Sequence, residues 1–189
     1  MFRLALFASG SGTNVQNICE YFQNHNSIKP EIVLSDKEDA YALERARLLN
    51  VKSEHFNYIR TSSEELLEII KDHNVTHIVL AGYLRLVPSK IIKTFKNKIL
   101  NIHPSLLPKF GGKGFYGHHV HKSVLESNES ESGITIHLVN EKYDDGKILF
   151  QKSIPIFDYD DVESLSSRIH NLEYKYYPQI IEKYLLNQL

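Results

Sequence analysis

The chain has little of what marks several large classes of protein. Its one cysteine, Cys19, excludes an internal disulfide framework and a cysteine-rich zinc site, and it fits a reducing compartment. No apolar run approaches the ~20 residues that span a bilayer, and no leader pattern precedes the first apolar run, so we expect an unprocessed cytoplasmic protein without membrane contact. Lys and Arg total 22 against 23 Asp and Glu, a net charge of -1 that argues against a nucleic-acid partner. An anionic ligand must therefore be held by a local site.

What is present is an alternation of short apolar runs and helical patterns over 189 residues, a length typical of one domain. The alternation predicts a doubly wound α/β fold with a mostly parallel sheet. Two later β-rich runs predict an antiparallel extension, followed by a long terminal helix that Pro178 could interrupt. We expect residues 1–100 to form a phosphate-binding mononucleotide fold and residues 101–189 to carry the catalytic elements. The predicted strands are Phe2–Ala8, Ile32–Leu34, Ser53–Phe56, His77–Ala81, Lys98–Ile102, Ile134–Val139 and Ile148–Ile154, and the predicted helices are Asn14–Phe22, Tyr41–Leu49, Glu64–His73, Ser89–Phe95, His118–Leu125 and Asp161–Leu186.

Two polar side chains stand where the fifth predicted strand ends. Asn101 and His103 are two positions apart, so on an extended backbone both point to the same face. Pro104 and Pro108 prevent regular structure in the segment that follows. A carboxamide donor beside an ionisable donor is suited to stabilising an oxyanion and moving a proton. Because open α/β sheets bind ligands beyond the carboxyl ends of their strands, we predict catalytic roles for both residues.

The turn Ala8–Asn14 joins the first predicted strand to the first predicted helix. Its glycines let backbone N–H groups approach a ligand at a helix N-terminus, where phosphate is the natural occupant. Val15 stands where a dinucleotide fingerprint would have its third glycine, which favours a monophosphate. We expect this phosphate to be held by Ser11, Gly12, Thr13 and Asn14. The alternative is a tight turn in which Thr13 or Asn14 serves only as a helix cap.

Two further loops carry weaker signals. Gly82 follows the fourth predicted strand and permits an unusual backbone path or the close approach of a flat ligand, although an ordinary strand-to-helix loop explains it as well. Asn140–Gly146 is a turn with three carboxylates, which by itself is typical of a solvated acidic loop. If Asp144 or Asp145 lies beside His103, it would orient the imidazole and favour its protonated form.

Three imidazoles fall within four positions at His118, His119 and His121. On a helix, His118 and His121 share a face but a third ligand would lie off it, and no Cys or convergent Asp and Glu spacing supports a zinc site. Packing at a helix start or in a loop explains these histidines, and we predict no bound metal.

The chain combines four recognisable segments: Ser9–Asn14, Gly82–Arg85, Asn101–Pro108 and Asp144–Gly146. Together they resemble the phosphoribosylglycinamide formyltransferases, folate-dependent enzymes of purine synthesis, over essentially the whole chain. The Asn-x-His-Pro-Ser-Leu-Leu-Pro pattern is similar to that of other folate-dependent formyltransferases as well. The early phosphate turn, and a chain that we expect to end after one domain, favour the enzymes that act on glycinamide ribonucleotide.

The resemblance implies transfer of the formyl group of 10-formyltetrahydrofolate, as co-substrate, to the amine of 5-phosphoribosylglycinamide. It implies no metal and no covalent enzyme intermediate. The catalytic group would be Asn101, His103 and Asp144, and Glu173 on the terminal helix would contact the glycinamide or ribose portion. The folate would lie against Arg60, Leu84, Arg85, Leu86, Val87, Asn101 and Asp144.

One departure from the family pattern and two alternative functions remain. The segment Gly111–Gly117 makes the link after Lys109 longer than usual, which predicts a mobile glycine-rich flap. The chain could be another folate-dependent formyltransferase or a formyltetrahydrofolate hydrolase. It could also be a non-catalytic mononucleotide-binding module, which would leave Asn101, His103 and Asp144 without a role. We expect small-molecule substrates as partners, and either a monomer or a homodimer.

Overall fold

A computed structural model describes all residues, Met1–Leu189. The strands are β1 (Phe2–Ala8), β2 (Ile28–Ser35), β3 (Lys52–His55), β4 (His77–Leu80), β5 (Ile99–His103), β6 (Glu131–Leu138) and β7 (Ile148–Pro155), and the helices are α1 (Thr13–Phe22), α2 (Tyr41–Leu48), α3 (Ser63–Asp72), α4 (Ser89–Thr94), α5 (His118–Glu126) and α6 (Val162–Leu185). The strands form one sheet with the order β3-β2-β1-β4-β5-β6-β7. Strand β1 pairs in parallel with β2 and β4, and β6 pairs antiparallel with β7. This confirms the predicted mostly parallel sheet with an antiparallel extension. The chain divides into two compact units, Met1–Leu100 and Asn101–Leu189.

The first unit is built around β1, whose residues from Leu4 to Ala8 are fully buried. Such a continuous apolar run is typical of a parallel strand that is covered on both faces. Helix α1 buries Val15, Ile18 and Phe22, whose spacing of three and four places them on one face. Helix α3 begins with a capping box between Ser62 and Glu65, which satisfies N–H groups that the helix itself leaves unbonded.

Strand β2 begins at Ile28, four residues before its predicted start. Proline cannot donate a hydrogen bond to a strand ladder, so Pro30 disfavours a regular strand at its own position. In the structure Pro30 lies opposite Leu4, and the register then shifts so that Ile32 lies opposite Ala5. Glu31 is therefore an extra residue, and this bulge lets the strand continue past the proline.

The second unit is built from the antiparallel pair β6 and β7 with helices α5 and α6. Helix α6 starts at a capping box between Asp161 and Ser164 and runs on through Pro178, so the interruption suggested by the sequence is wrong. An internal proline costs a helix ~3 kcal/mol. Burial of Tyr177, Ile180 and Ile181 beside the proline contributes about 2 kcal/mol each, which outweighs that cost. None of the helices combines the length and the apolar character that crossing a bilayer requires.

Candidate active site

The glycine-containing turn of the first unit ends in a helix N-terminus without a side-chain cap. Gly12 is the N-cap of α1, at φ 75 and ψ 26, and as a glycine it makes no side-chain cap bond. The alternative in which Thr13 or Asn14 caps the helix is therefore wrong. A Cβ atom at Gly12 would come within 2.4 Å of the Cα of Ala42, so both the backbone angles and the space require glycine. Backbone N–H groups at a helix N-terminus and the positive end of the helix dipole attract an anion.

The loop after β4 is tied to the end of β1. Gly82 has φ +81, the unusual backbone path that was predicted. The Ser9 hydroxyl accepts a hydrogen bond from the Leu84 N–H at 3.0 Å and donates to the Asp36 carboxylate at 2.6 Å. The other oxygen of Asp36 accepts from Nε of Arg85 at 3.1 Å. The Leu84 N–H and the Arg85 guanidinium thus have partners within the protein.

The remaining residues expected to contact the folate differ in exposure. Leu84 is 41% exposed, whereas Val87 is 2% exposed. The Leu86 carbonyl lies 3.4 Å from the Tyr58 hydroxyl, which donates to it. Arg60 is exposed, at the end of a short turn. Leu84 and Arg60 therefore have accessible surface, and Val87 contributes chiefly to packing.

In the second unit, His103 ends β5 and each of its ring nitrogens faces an acceptor. Nε2 lies 2.8 Å from the Phe110 carbonyl oxygen, and Nδ1 lies 3.5 Å from Oδ2 of Asp144. That same Oδ2 accepts a hydrogen bond from the Gly112 N–H at 2.9 Å. The chain that follows the Asn-x-His motif thus folds back over both members of the pair. Of the two candidate carboxylates, Asp144 is the one that faces the imidazole, whereas Asp145 accepts from the side chain of Asn140 at 3.1 Å.

Burial decides the charge of His103. Desolvation lowers the pKa of His103, which is 3% exposed, and the nearby negative charge of Asp144 and the Phe110 carbonyl raise it only in part. The net pKa of His103 lies below the usual value, so Asp144 favours the protonated imidazole as expected but does not outweigh the effect of burial. Burial raises the pKa of Asp144, but His137, His103 and the Gly112 N–H together bring it below its usual value. Both directions favour a neutral imidazole beside an ionised carboxylate.

His137 joins Asn101 to Asp144, and the sequence analysis missed it. Nδ1 of His137 lies 2.9 Å from the Leu138 carbonyl, so Nδ1 is the donor of that contact. Nε2 lies 3.1 Å from Nδ2 of Asn101 and 3.7 Å from Oδ1 of Asp144. His137 therefore accepts one N–H of the Asn101 carboxamide and fixes the orientation of that group. The signal in the sequence was the polar pair at positions 135 and 137, which alternates with buried apolar residues along β6.

Thr135, the other member of that polar pair, holds the segment that follows His103. Its hydroxyl donates to the Ser105 carbonyl at 2.6 Å and accepts from the Leu107 N–H at 3.0 Å. The Gln151 side chain donates to the same hydroxyl at 2.9 Å and to the Leu107 carbonyl, also at 2.9 Å. Because the two bonds between Thr135 and the backbone are buried, the two-proline segment is fixed rather than free.

The other residues singled out in the sequence also lie in the second unit. Glu173 is 6% exposed on α6, one turn before Tyr177, whose pKa is raised by burial and by the charge of Glu173. The rings of His118 and His119 lie 4.3 Å apart, and His121 is buried. No group of three or more His, Cys, Asp or Glu side chains is arranged to hold a metal ion.

The sheet order, the glycine turn and the buried histidine beside a carboxylate define an α/β protein with a mostly parallel sheet and a histidine–aspartate pair at the end of its fifth strand. A family model described as formyl transferase matches residues 2–181. The chain therefore belongs to the formyl transferase family, which confirms the resemblance drawn from the four sequence segments.

Individual relatives agree with this assignment. A chloroplastic phosphoribosylglycinamide formyltransferase of Arabidopsis thaliana is 40% identical over 187 residues, covering 95% of this chain and 64% of that protein. The chain thus spans less than two thirds of the plant relative. The Bacillus subtilis phosphoribosylglycinamide formyltransferase is 36% identical over 191 residues, covering 98% of this chain and 95% of that protein. A crystal structure of glycinamide ribonucleotide transformylase 1 from Symbiobacterium toebii matches with a TM-score of 0.87 at 37% identity, covering 96% of this chain and 86% of the other.

Proposed function

We propose that this protein transfers the formyl group of 10-formyltetrahydrofolate to the amine of 5-phosphoribosylglycinamide, a step of purine synthesis. The observation that carries the proposal is the group of Asn101, His103, Asp144 and His137, gathered by direct contacts in the second unit. Acyl transfer builds negative charge on oxygen and moves a proton, and this group supplies an oriented donor and a neutral base. Membership of the formyl transferase family supports the same reaction.

The bond changes follow from the chemistry of the two substrates. The lone pair of the primary amine attacks the formyl carbon, and the electron pair of the C=O bond moves to oxygen, which gives a tetrahedral oxyanion. The Asn101 carboxamide has two N–H donors, of which one is held by His137. We assign the second to the oxyanion. Collapse of the intermediate breaks the bond to the folate nitrogen and gives the formylated amine and tetrahydrofolate.

His103 carries the proton that this exchange requires. The attacking nitrogen must lose a proton and the departing folate nitrogen must gain one, so a base that later acts as an acid serves both needs. A neutral imidazole can accept the proton at neutral pH, and the carboxylate of Asp144 stabilises the imidazolium that results. For Nε2 to reach the substrate, the Phe110 carbonyl has to release it. We therefore expect the Gly111–Gly117 segment to move during the reaction.

The proposal assigns residues to each part of the two substrates. The turn Ser11–Asn14 binds the phosphate through the N-terminus of α1, and Glu173 contacts the glycinamide portion. The loop Leu84–Val87, together with Arg60, Asn101 and Asp144, contacts the folate. We place the reaction in the cytoplasm, with small molecules as the only partners. The oligomeric state consistent with the proposal is a monomer or a homodimer.

The test is an assay with purified protein, 10-formyltetrahydrofolate and a panel of amines. We expect formylated glycinamide ribonucleotide and stoichiometric tetrahydrofolate, with other phosphorylated or nucleotide-linked amines turned over at least tenfold more slowly. Production of formate without an acceptor would identify a hydrolase, and a different preferred amine would identify another formyltransferase. Binding of both ligands without turnover would support a non-catalytic module and contradict the proposal.

A further inference from the structure

Two carbonyl oxygens of the glycine turn in the first unit are held by helix α2. The Gly10 carbonyl accepts a hydrogen bond from the Ala42 N–H at 3.1 Å, and the Ser11 carbonyl accepts one from Nε of Arg45 at 2.8 Å. In a trans peptide the C=O and the N–H of the next residue point in opposite directions. A fixed Ser11 carbonyl therefore fixes the Gly12 N–H on the side away from Arg45.

The Arg45 guanidinium is itself held in place. It lies over the Tyr41 ring at 4.9 Å from the centroid, and Nη1 donates to Oε1 of Gln16 in the first turn of α1. Arg45 is half-buried. Since the planar guanidinium donates in fixed directions, contacts with a ring, a side-chain amide and a carbonyl leave it little freedom.

We propose that Arg45 is a positioning residue for binding of the substrate phosphate. It holds the Ser11 carbonyl away from the anion, so that the Gly12 N–H points toward it, and it places a positive charge beside the turn. Without Arg45 the Ser11–Gly12 peptide could rotate and present its carbonyl oxygen to the phosphate, and two negative groups would then face each other. The proposal rests on the proposed function, since it concerns the phosphate of the same acceptor.

Three variants and two acceptors test the proposal. Arg45→Gln removes the charge and the Nε donor, Arg45→Lys keeps the charge without the planar fork, and Arg47→Gln is a matched control. Arg47 lies on the same helix, is exposed, and pairs with Glu44 at 3.0 Å. The acceptors are 5-phosphoribosylglycinamide and the same molecule without its phosphate.

We expect Arg45→Gln to raise the KM for the phosphorylated acceptor about 10- to 100-fold, the loss typical of a charge-assisted hydrogen bond, with kcat within about twofold of the parent. The KM for the acceptor without phosphate stays within about twofold. Arg45→Lys gives an intermediate KM, and Arg47→Gln matches the parent. An equal rise for both acceptors, or no rise for either, overturns the proposal.

Direct binding of ribose 5-phosphate, measured by calorimetry, separates this proposal from the proposed function. In one outcome the parent protein binds ribose 5-phosphate but transfers no formyl group, and Arg45→Gln weakens the binding while Arg47→Gln does not. The proposed reaction is then wrong, and the proposed role of Arg45 stands. If the parent protein binds no ribose 5-phosphate, or if Arg45→Gln binds it as well as the parent, the role of Arg45 is wrong.

Discussion

The glycine turn Gly10–Asn14 and the group around His103 are built from different parts of the chain. The turn offers backbone N–H groups, and its shape depends on a positive φ at Gly12 and on Arg45. The group around His103 consists of side chains, and its properties depend on burial and on which atoms the ring nitrogens face. The turn should therefore control how tightly an anion binds, whereas the His103 group should control how fast a proton moves. Substitutions in the glycine turn should therefore change mainly KM, and substitutions in the His103 group should change mainly kcat.

The largest effect is expected at His103. His103→Ala removes the proton carrier, and we expect kcat for formyl transfer to fall about 1000-fold, with KM for both substrates within about threefold. Steady-state kinetics measures both constants, and circular dichroism checks that the variant folds. His55→Ala, at an exposed histidine of β3, is the control and should behave as the parent protein does. A kcat within tenfold of the parent in His103→Ala would contradict the assignment.

Asn101→Ala should have the next largest effect. Loss of an oxyanion donor lowers kcat about 100-fold, again with KM little changed. Because His137 acts through the Asn101 carboxamide, His137→Leu should cost about tenfold, and the double variant should be no slower than Asn101→Ala alone. Additive losses would show that His137 has a separate role and that the contact between the two side chains is incidental.

The same division explains what could be predicted from the sequence. Asn101, His103 and the glycine turn were found because each lies in a short segment whose spacing fixes its geometry. The spacing of the residues left Asp144 and Asp145 as candidates for the carboxylate beside His103, because the choice between them depends on how the turn folds. Asp144 takes φ 52, a left-handed backbone that the sequence does not reveal.

The partners that orient the His103 group could not be predicted, because they come from distant positions. His137 lies 36 residues from Asn101, and its role depends on the pairing of strands in the fold. The Phe110 carbonyl and the Gly112 N–H are backbone groups, which every residue has, so no sequence pattern marks them. The lowered pKa of His103 was missed for a related reason. The neighbouring carboxylate was visible in the sequence, whereas the extent of burial was not.

In the turn, Gly12→Ala should change binding and stability rather than turnover. The new Cβ would meet the Cα of Ala42 at 2.4 Å, and alanine disfavours φ 75, so the turn must shift. We expect the KM for the phosphorylated acceptor to rise about tenfold and the free energy of unfolding to fall by about 2 kcal/mol, with kcat near the parent value. Gly10→Ala, where a Cβ meets nothing within 4 Å, is the matched control. Equal effects of the two variants would contradict the role of the space beside Ala42.

The smallest effect concerns pH and the buried imidazoles of the second unit. Burial lowers the pKa of His121 to about 4, and the nearby His170, His103 and His118 lower it further. An unfolded histidine titrates near 6.5, so the unfolded chain binds more protons between pH 6.5 and about 4, and stability falls as the pH falls through that range. Replacing His121 by Gln removes this titration. When the pH is lowered from 7 to 5, the free energy of unfolding should fall by roughly 1 to 2 kcal/mol less in the variant than in the parent, as measured by urea denaturation at each pH.

His25→Gln provides the comparison variant. His25 lies in the first unit and accepts hydrogen bonds from the Ser27 and Ile28 N–H groups. If His121→Gln kept the full pH dependence of the parent, the loss of stability in acid would not arise from His121. It would then arise from the other imidazoles whose pKa is lowered, namely His77, His103 and His170.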